Sequence, residues 1–395
     1  MTAPDSLLGP EAPLDPAALQ GHYQAFLRPD RILLTGHSHQ AWPDVARAAM
    51  TRCFDDAAEH VDDKWGAAFE AAQAVRVAIA RAVGATPERV ILGESTHTLV
   101  VRLLSALAWK TRRHLVTTRG EFHTLHRQLR RLAEEGVRVD FVDPHPVDTL
   151  AARLAEAVRD DTAALLCSTV LFETSTVVPH LAQAVARARA CGAEVVLDGY
   201  HHYGVRPLTL ADYGDPFLLG GGYKYAQWGE GVCFLVAPAG CALRPVVTGW
   251  FADFASLSER RPEAPVRYAE APADRFAGAT YDPVSHYRAR AVIEFFAAQG
   301  MTVGRLAESY TRQTARILDS LAAAGWEPAT PRDTSLRGGF VAVPVPNAAE
   351  VVEGLRSDGV WVDARGDLVR LGPAPYLTDP EIDRGVEAFL RRARK

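Results

Sequence analysis

The chain has 395 residues, 48% of them hydrophobic, and a formal net charge of −5, the composition of a globular protein with a sizeable core. This charge provides no basic surface for nucleic acid, and no apolar run approaches the roughly 18 residues that a membrane span needs. The first residues lack the basic and then apolar order of a signal peptide. We therefore expect a cytoplasmic protein with no nucleic-acid or membrane partner.

The cysteines favour a reduced protein. They are odd in number, form no C-x-x-C pair and mostly lie in apolar runs, at Cys53, Cys167, Cys191, Cys233 and Cys241. Disulfides and zinc sites need cysteines that are paired or closely spaced. The pattern predicts buried free thiols and no metal site.

An arm and two long helices are predicted first in the chain. Residues 1–42 should form the arm, with a short amphipathic stretch at 17–27 and a strand near 31–35. Helices are expected near 43–58 and 61–83, because Ala, Val and Ile recur there at helical spacing. The arm is interpreted as packing on the main body as part of a smaller lobe.

From residue 89 onward, short apolar runs alternate with helical segments of ten or more residues. This alternation predicts an α/β domain at 43–283, with a mostly parallel sheet sandwiched by helices. After Pro283 two long helices, three short strands and a last helix follow. We interpret 284–395 as a smaller C-terminal α+β domain.

Asp198 and Lys224 carry the clearest chemical signal. Asp198 closes the apolar run 193–197, and a carboxylate at the end of a buried parallel strand lies where α/β proteins bind ligands. Lys224 lies in a turn rich in glycine and tyrosine. Lysine occurs elsewhere in the chain only at Lys64, Lys110 and Lys395, all of which read as solvated charges.

Lysine, unlike arginine, can lose its proton and form an imine. Pyridoxal 5'-phosphate (PLP) needs such a lysine as its Schiff base and an acid beside its pyridine nitrogen, and Lys224 and Asp198 supply both. His201 could hydrogen-bond the ring oxygen or Asp198. The alternatives are a surface lysine in a hairpin and a turn or helix-capping aspartate.

Two further strand ends could complete a PLP site. Ser95 and Thr96 join a strand to a helix start, where hydroxyls and backbone N–H groups suit a phosphate, although a serine there could also be a plain helix cap. Phe122 or His123 could lie flat on a pyridine ring, and a core phenylalanine is the alternative.

Seven motifs in this order resemble the kynureninases, within the class V branch of fold type I PLP-dependent enzymes. They are Gly36-x-Ser38, Ser95-Thr96, Phe122, Asp198-x-x-His201, Gly222-Tyr223-Lys224-Tyr225, Gly249-Trp250 and Arg370-x-Gly372. The resemblance extends over roughly residues 30–385. It implies the fold type I architecture, PLP as cofactor and an amino acid as substrate.

The resemblance also implies a role for each matched residue. Lys224 is the Schiff base and proton carrier, Asp198 pairs with the pyridine nitrogen, and Phe122 stacks on the ring. The phosphate is held by Ser95, Thr96 and Tyr223, with Trp250 reaching it from the second subunit of a homodimer. Arg370 clamps the substrate α-carboxylate, and His37 and Ser38 lie beside the substrate.

The activity implied is hydrolytic Cβ–Cγ cleavage of a kynurenine-like amino acid to an aromatic acid and alanine. Several substrate-side positions depart from the family, however. Leu125 stands where an active-site acid is usual, Phe172-Glu-Thr-Ser175 replaces a polar motif, and Phe340 replaces a polar residue. Another class V reaction on a different amino acid, or a PLP-binding protein without catalysis, therefore remains as the alternative.

Overall fold

The computed structural model describes residues 13–259 and 264–393, so the start of the predicted arm lies outside the described residues. The helices are α1 (Pro16–Gln20), α2 (Val45–His60), α3 (Trp65–Val83), α4 (Thr96–Ser105), α5 (His123–Glu134), α6 (Leu150–Ala157), α7 (Leu181–Ala190), α8 (Pro272–Arg275), α9 (Val284–Ala298), α10 (Val303–Ala323), α11 (Ala348–Ser357) and α12 (Asp379–Ala393). Those predicted near 43–58 and 61–83 are found as α2 and α3, each within about one turn of the expected ends, whereas the amphipathic stretch at 17–27 forms only the short α1.

The strands form one large sheet and three small ones. They are β1 (Ile32–Leu33), β2 (Val90–Gly93), β3 (His114–Thr118), β4 (Arg138–Val142), β5 (Thr162–Ser168), β6 (Val170–Leu171), β7 (Thr176–Val177), β8 (Glu194–Asp198), β9 (Phe217–Gly221), β10 (Cys233–Val236), β11 (Val341–Pro344), β12 (Val360–Trp361), β13 (Asp363–Arg365) and β14 (Leu368–Leu371). The large sheet has seven strands in the order β2-β10-β9-β8-β5-β3-β4.

Only β10 runs antiparallel to its neighbours in this sheet, so the predicted mostly parallel α/β architecture is confirmed. Both faces of the sheet are buried. Leu165 belongs to the core on one face and the next residue, Leu166, to the core on the other, as successive side chains of a strand must. Continuous apolar runs in these strands follow from helices covering both faces.

The C-terminal domain has a separate hydrophobic core, which the arm helps to form. Leu34 from the arm and Phe389 from α12 belong to one buried cluster, and β1 pairs in parallel with β12. The change from one core to the other falls inside α9, where Val292 packs in the large core and Phe295 in the small one. The domain limits drawn from the sequence at 42/43 and 283/284 stay predictions.

Strand direction decides where the polar side chains meet. Ser168 ends β5 and Asp198 ends β8, while the turn bearing Lys224 follows β9. Because these strands are parallel neighbours, their carboxyl ends lie on one edge of the sheet. Within the described residues, no helix combines the length and apolar character that crossing a membrane requires.

We expect the C-terminal core to be sensitive at Phe389, whose side chain is fully buried. Phe389→Ala should lower the free energy of unfolding by about 3–5 kcal/mol, through lost burial and the cavity left behind. Chemical denaturation should show this loss as a lower midpoint. Glu387→Ala, at an exposed position on the same helix, should stay within about 0.5 kcal/mol of the parent, and equal effects of the two changes would contradict the core assignment.

Candidate active site

Glycines allow the chain to place Lys224 close to the sheet. A side chain at Gly222 would come within 2.1 Å of Trp228, and one at Gly221 within 2.4 Å of the Tyr200 hydroxyl. Only glycine tolerates such close approach, so the turn after β9 can pack tightly against its neighbours. The lysine that follows is consequently buried, with 7% of its surface exposed.

The Lys224 amine lies in an aromatic and cationic environment. Its Nζ is 2.7 Å from Nε2 of His201, 4.7 Å from the ring centre of Tyr200 and 5.4 Å from that of Phe122. Burial lowers the pKa of Lys224 to about 7, with the charge of Arg370 acting in the same direction and Asp198 opposing it. A lysine in this state is partly neutral at neutral pH, as nucleophilic lysines require.

His201 is held neutral. Burial and the charge of Lys224 keep the pKa of His201 well below its usual range. A neutral imidazole can accept a hydrogen bond from Nζ at Nε2, while its Nδ1 faces the Tyr225 hydroxyl at 3.5 Å. His201 thus orients the amine without competing with it for a proton.

A cavity of about 210 Å³ contains the Lys224 amine. It gathers seven of the residues singled out in the sequence: Ser95, Thr96, Phe122, Asp198, His201, Tyr223 and Lys224. They come from separate strand ends and are distant in the chain. The cavity also takes in residues to which the sequence reading gave no role, among them Ser168, Phe172 and Tyr200.

The part of the cavity that Ser95 and Thr96 line suits a phosphate. It lies at the start of α4, where Ser95 caps the helix by accepting a hydrogen bond from the Thr98 N–H. The first-turn N–H groups of a ten-residue helix favour an anion there. Glu94 and Glu230 also line the cavity, and each lies close enough to an arginine, Arg102 and Arg288 respectively, for their charges to attract.

Asp198, in the same lining, suits a protonated pyridine nitrogen. Asp198 accepts a hydrogen bond from the Tyr200 N–H at 2.8 Å, and burial raises the pKa of its carboxyl above the usual value. Phe122 and Tyr200 lie on the same cavity as apolar ring surfaces. With a lysine, an acid and a helix start lining one cavity, the residues present fit PLP.

Arg370 lies outside the cavity lining, buried and already paired. Its Nε donates to Asp363 at 2.8 Å and its Nη2 at 2.5 Å, while Nη1 donates to the Phe172 carbonyl at 2.7 Å. Arg370 and Asp363 are opposite each other in the β13–β14 ladder, which explains their ion pair. These bonds use three of the five N–H groups of the guanidinium.

His37 and Ser38 are likewise absent from the cavity lining. His37 is fully buried, and its Nε2 is 2.7 Å from Asp363, while Ser38 donates to the Thr35 carbonyl. Burial lowers the pKa of His37 to about 4, so the imidazole is neutral and donates to Asp363. Contact of either residue with a substrate stays a prediction.

Trp250 stands apart from the Lys224 cavity of its own chain. It is 44% exposed and stacks on Phe251, which lines a second cavity of about 1060 Å³. This larger cavity adjoins the first, since Glu94, Glu230 and Gly231 line both. A role for Trp250 in the phosphate site therefore requires another copy of the chain.

Sequence reasoning missed three polar or aromatic groups near Lys224. Tyr200 follows Asp198 by two positions. Ser168 is the last residue of the adjacent strand, so its position at a strand end, like that of Asp198, was a signal that could have identified it. Glu121 lies deeper, 2% exposed, and has no signal of its own in the sequence. Leu125, which stands where the family usually has an acid, is a buried residue of α5 and packs in the core.

The lowered pKa of Lys224 predicts how stability changes with pH in the cofactor-free protein. An unfolded lysine keeps its proton to about pH 10.4, whereas folded Lys224 loses it near 7. The unfolded state thus binds more protons between these values, and Lys224 makes stability rise with pH there, by up to about 1.4 kcal/mol per pH unit. Lys224→Met should flatten this rise in urea titrations from about pH 7 to pH 9.

Lys110→Met, at an exposed position, provides the control and should keep the rise. Parallel pH profiles for wild type and Lys224→Met would contradict the buried, readily deprotonated amine.

Comparison with known proteins agrees with the geometry. Residues 307–389 match the family model of the kynureninase C-terminal domain. The chain is 27% identical to a kynureninase of Xanthomonas euvesicatoria, covering 90% of this chain and 91% of that one, and 28% identical to a kynureninase of Deinococcus radiodurans, covering 90% and 88%.

A solved structure extends the comparison to the whole fold. The protein C-DES, with glycine covalently linked to its PLP cofactor, superposes with a TM-score of 0.82 over 94% of this chain and 98% of that chain, at 18% identity. At this identity the likeness establishes the fold alone. The chain is therefore similar to the kynureninases over most of its length and has the fold of the type I PLP-dependent enzymes.

Proposed function

We propose that this protein is a PLP-dependent enzyme acting on an amino acid, with the cofactor attached to Lys224. The observation that carries the proposal is the buried amine, 2.7 Å from His201, in a cavity that Asp198 and Ser95 also line. Phe122 and Tyr200 would flank the ring. Tyr223 and Thr96 would join Ser95 at the phosphate.

When bound, PLP supplies an electron-accepting ring that weakens the bonds at the α-carbon of an amino acid. Asp198 would hold the proton of the ring nitrogen. Lys224, with a pKa of about 7, can both take and return a proton at neutral pH, which is the property that general acid–base catalysis needs. His201 would keep Nζ in place during these transfers.

The reaction proposed is hydrolytic Cβ–Cγ cleavage of a kynurenine-like amino acid, which yields an aromatic acid and alanine. Kynureninases are similar to this chain over most of its length, and the matching family model spans the segment that contains Arg370. The cofactor-side residues of the family motifs are all present.

A second candidate, another class V reaction on a smaller amino acid, is favoured by the size of the cavity. About 210 Å³ is below the range of about 300–1,000 Å³ usual for ligand sites, and Phe172 and Tyr200 occupy part of its wall. Within this cavity the cofactor would leave little room for an aromatic acyl group, which would have to extend into the larger adjoining cavity.

The first test is cofactor attachment. Purified protein mixed with PLP should absorb visible light, and borohydride reduction should fix the cofactor to Lys224, as identified by peptide mass spectrometry. Lys224→Ala should lose the attachment, whereas Lys110→Met, exposed and remote in sequence, should keep it. Wild-type protein that takes up no PLP would refute the proposal.

Products then decide between the two reactions. Incubation with kynurenine, 3-hydroxykynurenine and a panel of small amino acids should yield alanine and an aromatic acid from the first two substrates. Turnover of the small amino acids alone would favour the second candidate, and no turnover of any substrate would favour a PLP-binding protein without catalysis.

Arg370 is proposed to hold the α-carboxylate of the substrate through the N–H groups that Asp363 and Phe172 leave over. A bidentate bond of this kind needs the planar fork of arginine. Arg370→Lys should retain PLP absorption and lose about tenfold or more in kcat/KM, because each ~1.4 kcal/mol of transition-state binding is a factor of ten.

The matched control is Arg365→Lys, a partly buried cation in the neighbouring strand whose Nη1 is 3.6 Å from Asp363. It should change kcat/KM by less than about threefold, since a more distant ion pair contributes little. Wild-type kinetics in Arg370→Ala would show that the carboxylate is bound elsewhere.

We further propose a two-fold homodimer in which Trp250 completes the phosphate site of the other subunit. The segment around it exposes apolar side chains at Val246, Val247, Phe254 and Leu257, a clustering that marks interaction surfaces. A second copy covering this surface would close the larger cavity next to the Lys224 site.

Sedimentation at micromolar concentration should therefore give a dimer. Trp250→Ala should weaken PLP binding by about tenfold, as expected for an aromatic side chain at the centre of an interface. Trp361→Ala, an exposed tryptophan of the C-terminal domain, should leave PLP binding unchanged. A monomer that still binds PLP tightly would contradict this arrangement.

A further inference from the structure

Glu121 is a buried carboxyl group that the proposed chemistry does not use. It lies two residues before the start of α5 and is 2% exposed. Its Oε1 accepts hydrogen bonds from the Thr118 hydroxyl at 2.6 Å and the Ser168 N–H at 3.1 Å, and its Oε2 accepts one from the Ser168 hydroxyl at 2.6 Å. The side chain thus joins the ends of β3 and β5.

These bonds determine the direction of the Ser168 proton. An ionised carboxylate can only accept, so the Ser168 hydroxyl must donate to Oε2 and keeps only lone pairs for its other neighbours. A protonated Glu121 could instead donate to Ser168, which would free the hydroxyl proton. Ser168 lines the cavity and pairs in register with Asp198, so either choice changes the group offered there.

We propose that Glu121 is a positioning residue of the cofactor site, whose protonation decides whether Ser168 presents a lone pair or an O–H to a ligand beside Asp198. The inference rests on the proposed function, because Ser168 matters in this way only if PLP occupies the cavity. Glu121 would then supply, from beneath the site, a second acid that position 125 lacks.

The surroundings of Glu121 favour a change of protonation near neutrality. The ionisable groups that face it are Asp198 from β8 and the thiol of Cys167 from β5. Burial raises the pKa of Glu121 to about 7, against the three hydrogen bonds and with added repulsion from Asp198. Among the residues that the structure describes, no cation forms an ion pair with it.

The competing explanation is that Glu121 only connects the two strand ends by hydrogen bonds. The variant Glu121→Gln distinguishes this structural role from the proposed one. The glutamine Oε1 can keep both bonds from Thr118 and the Ser168 N–H, while its Nε2 must donate to the Ser168 hydroxyl. The connection between the strand ends therefore survives, whereas the Ser168 proton is turned outward at every pH.

The experiment measures binding of pyridoxine 5'-phosphate, which has no aldehyde and cannot react with Lys224. Its dissociation constant is determined at about pH 6 and about pH 8, either side of the pKa, for wild type, Glu121→Gln, Ser168→Ala and the double variant. The ratio of the dissociation constants at the two pH values should be about fivefold larger for wild type than for Glu121→Gln. This factor corresponds to one ordinary hydrogen bond. The pH dependence that all four proteins share comes from Lys224 and from the phosphate of the probe, whose second pKa is about 6.

Because Glu121 acts through Ser168, the double variant should match Ser168→Ala at both pH values. Glu194→Gln, the same chemical change at the opposite end of β8, should behave as wild type. Infrared spectra of the cofactor-free protein should show one carboxylic acid that titrates near pH 7 and is missing in Glu121→Gln.

Thr118→Val offers a second route if Glu121→Gln fails to fold. It removes one donor to the carboxylate outside the cavity lining, so the infrared midpoint and the pH dependence of binding should both move upward. Wild-type pH dependence in Glu121→Gln, or effects of Glu121→Gln and Ser168→Ala that multiply, would overturn this inference alone. Wild-type protein that does not bind the probe would overturn the proposed function with it.

Discussion

The exclusion of water from the Lys224 amine is the constraint on which the rest of the site depends. Removing a group from water disfavours its charged form, so cations in such a place lose protons more easily and acids hold them more tightly. Lys224 and His201 show the first effect, and Asp198 and Glu121 the second. Four ionisable groups are thereby brought towards neutrality within one small region.

Such a region is poor in charge before a ligand arrives and suits a ligand that carries its own. PLP has a phosphate and a ring nitrogen that can hold a proton, and the cavity offers a helix start to the one and Asp198 to the other. Outside the cavity lining, Arg370 and Asp363 form an ion pair, so their opposite charges largely cancel. The fold therefore keeps the region around Lys224 close to neutral and holds the charges of Arg370 and Asp363 in an ion pair outside the cavity lining.

The sequence was informative wherever strand ends determined position. Asp198 and Lys224 could be placed together because carboxyl ends of parallel strands share an edge, and the structure brings both to one cavity. The alternation of strands and helices likewise predicted the mostly parallel sheet. Contacts that depend on side-chain direction could not be read in this way.

Arg370 illustrates that limit. Alternation along β14 separates its side chain from those of its neighbours, but its pairing with Asp363 follows from the register of the β13–β14 hairpin, which apolar periodicity does not determine. Glu121 is a second case, since its partner Ser168 belongs to another strand. Which polar side chains meet across strands is decided by packing in three dimensions.

The position of β10 in the sheet has a consequence for how the protein is made. Strand β2, which leads to the part of the site proposed for the phosphate, is hydrogen-bonded within the large sheet to β10, and β10 follows Lys224 in the chain. During synthesis β2 has no strand to pair with in the sheet until β10 has left the ribosome, and the delay between β1 and its partner β12 is longer still. Pairings between such distant segments form slowly. The part of the site that follows β2 can therefore be completed only after β10 has been translated, well beyond Ser95 and Thr96 in the chain.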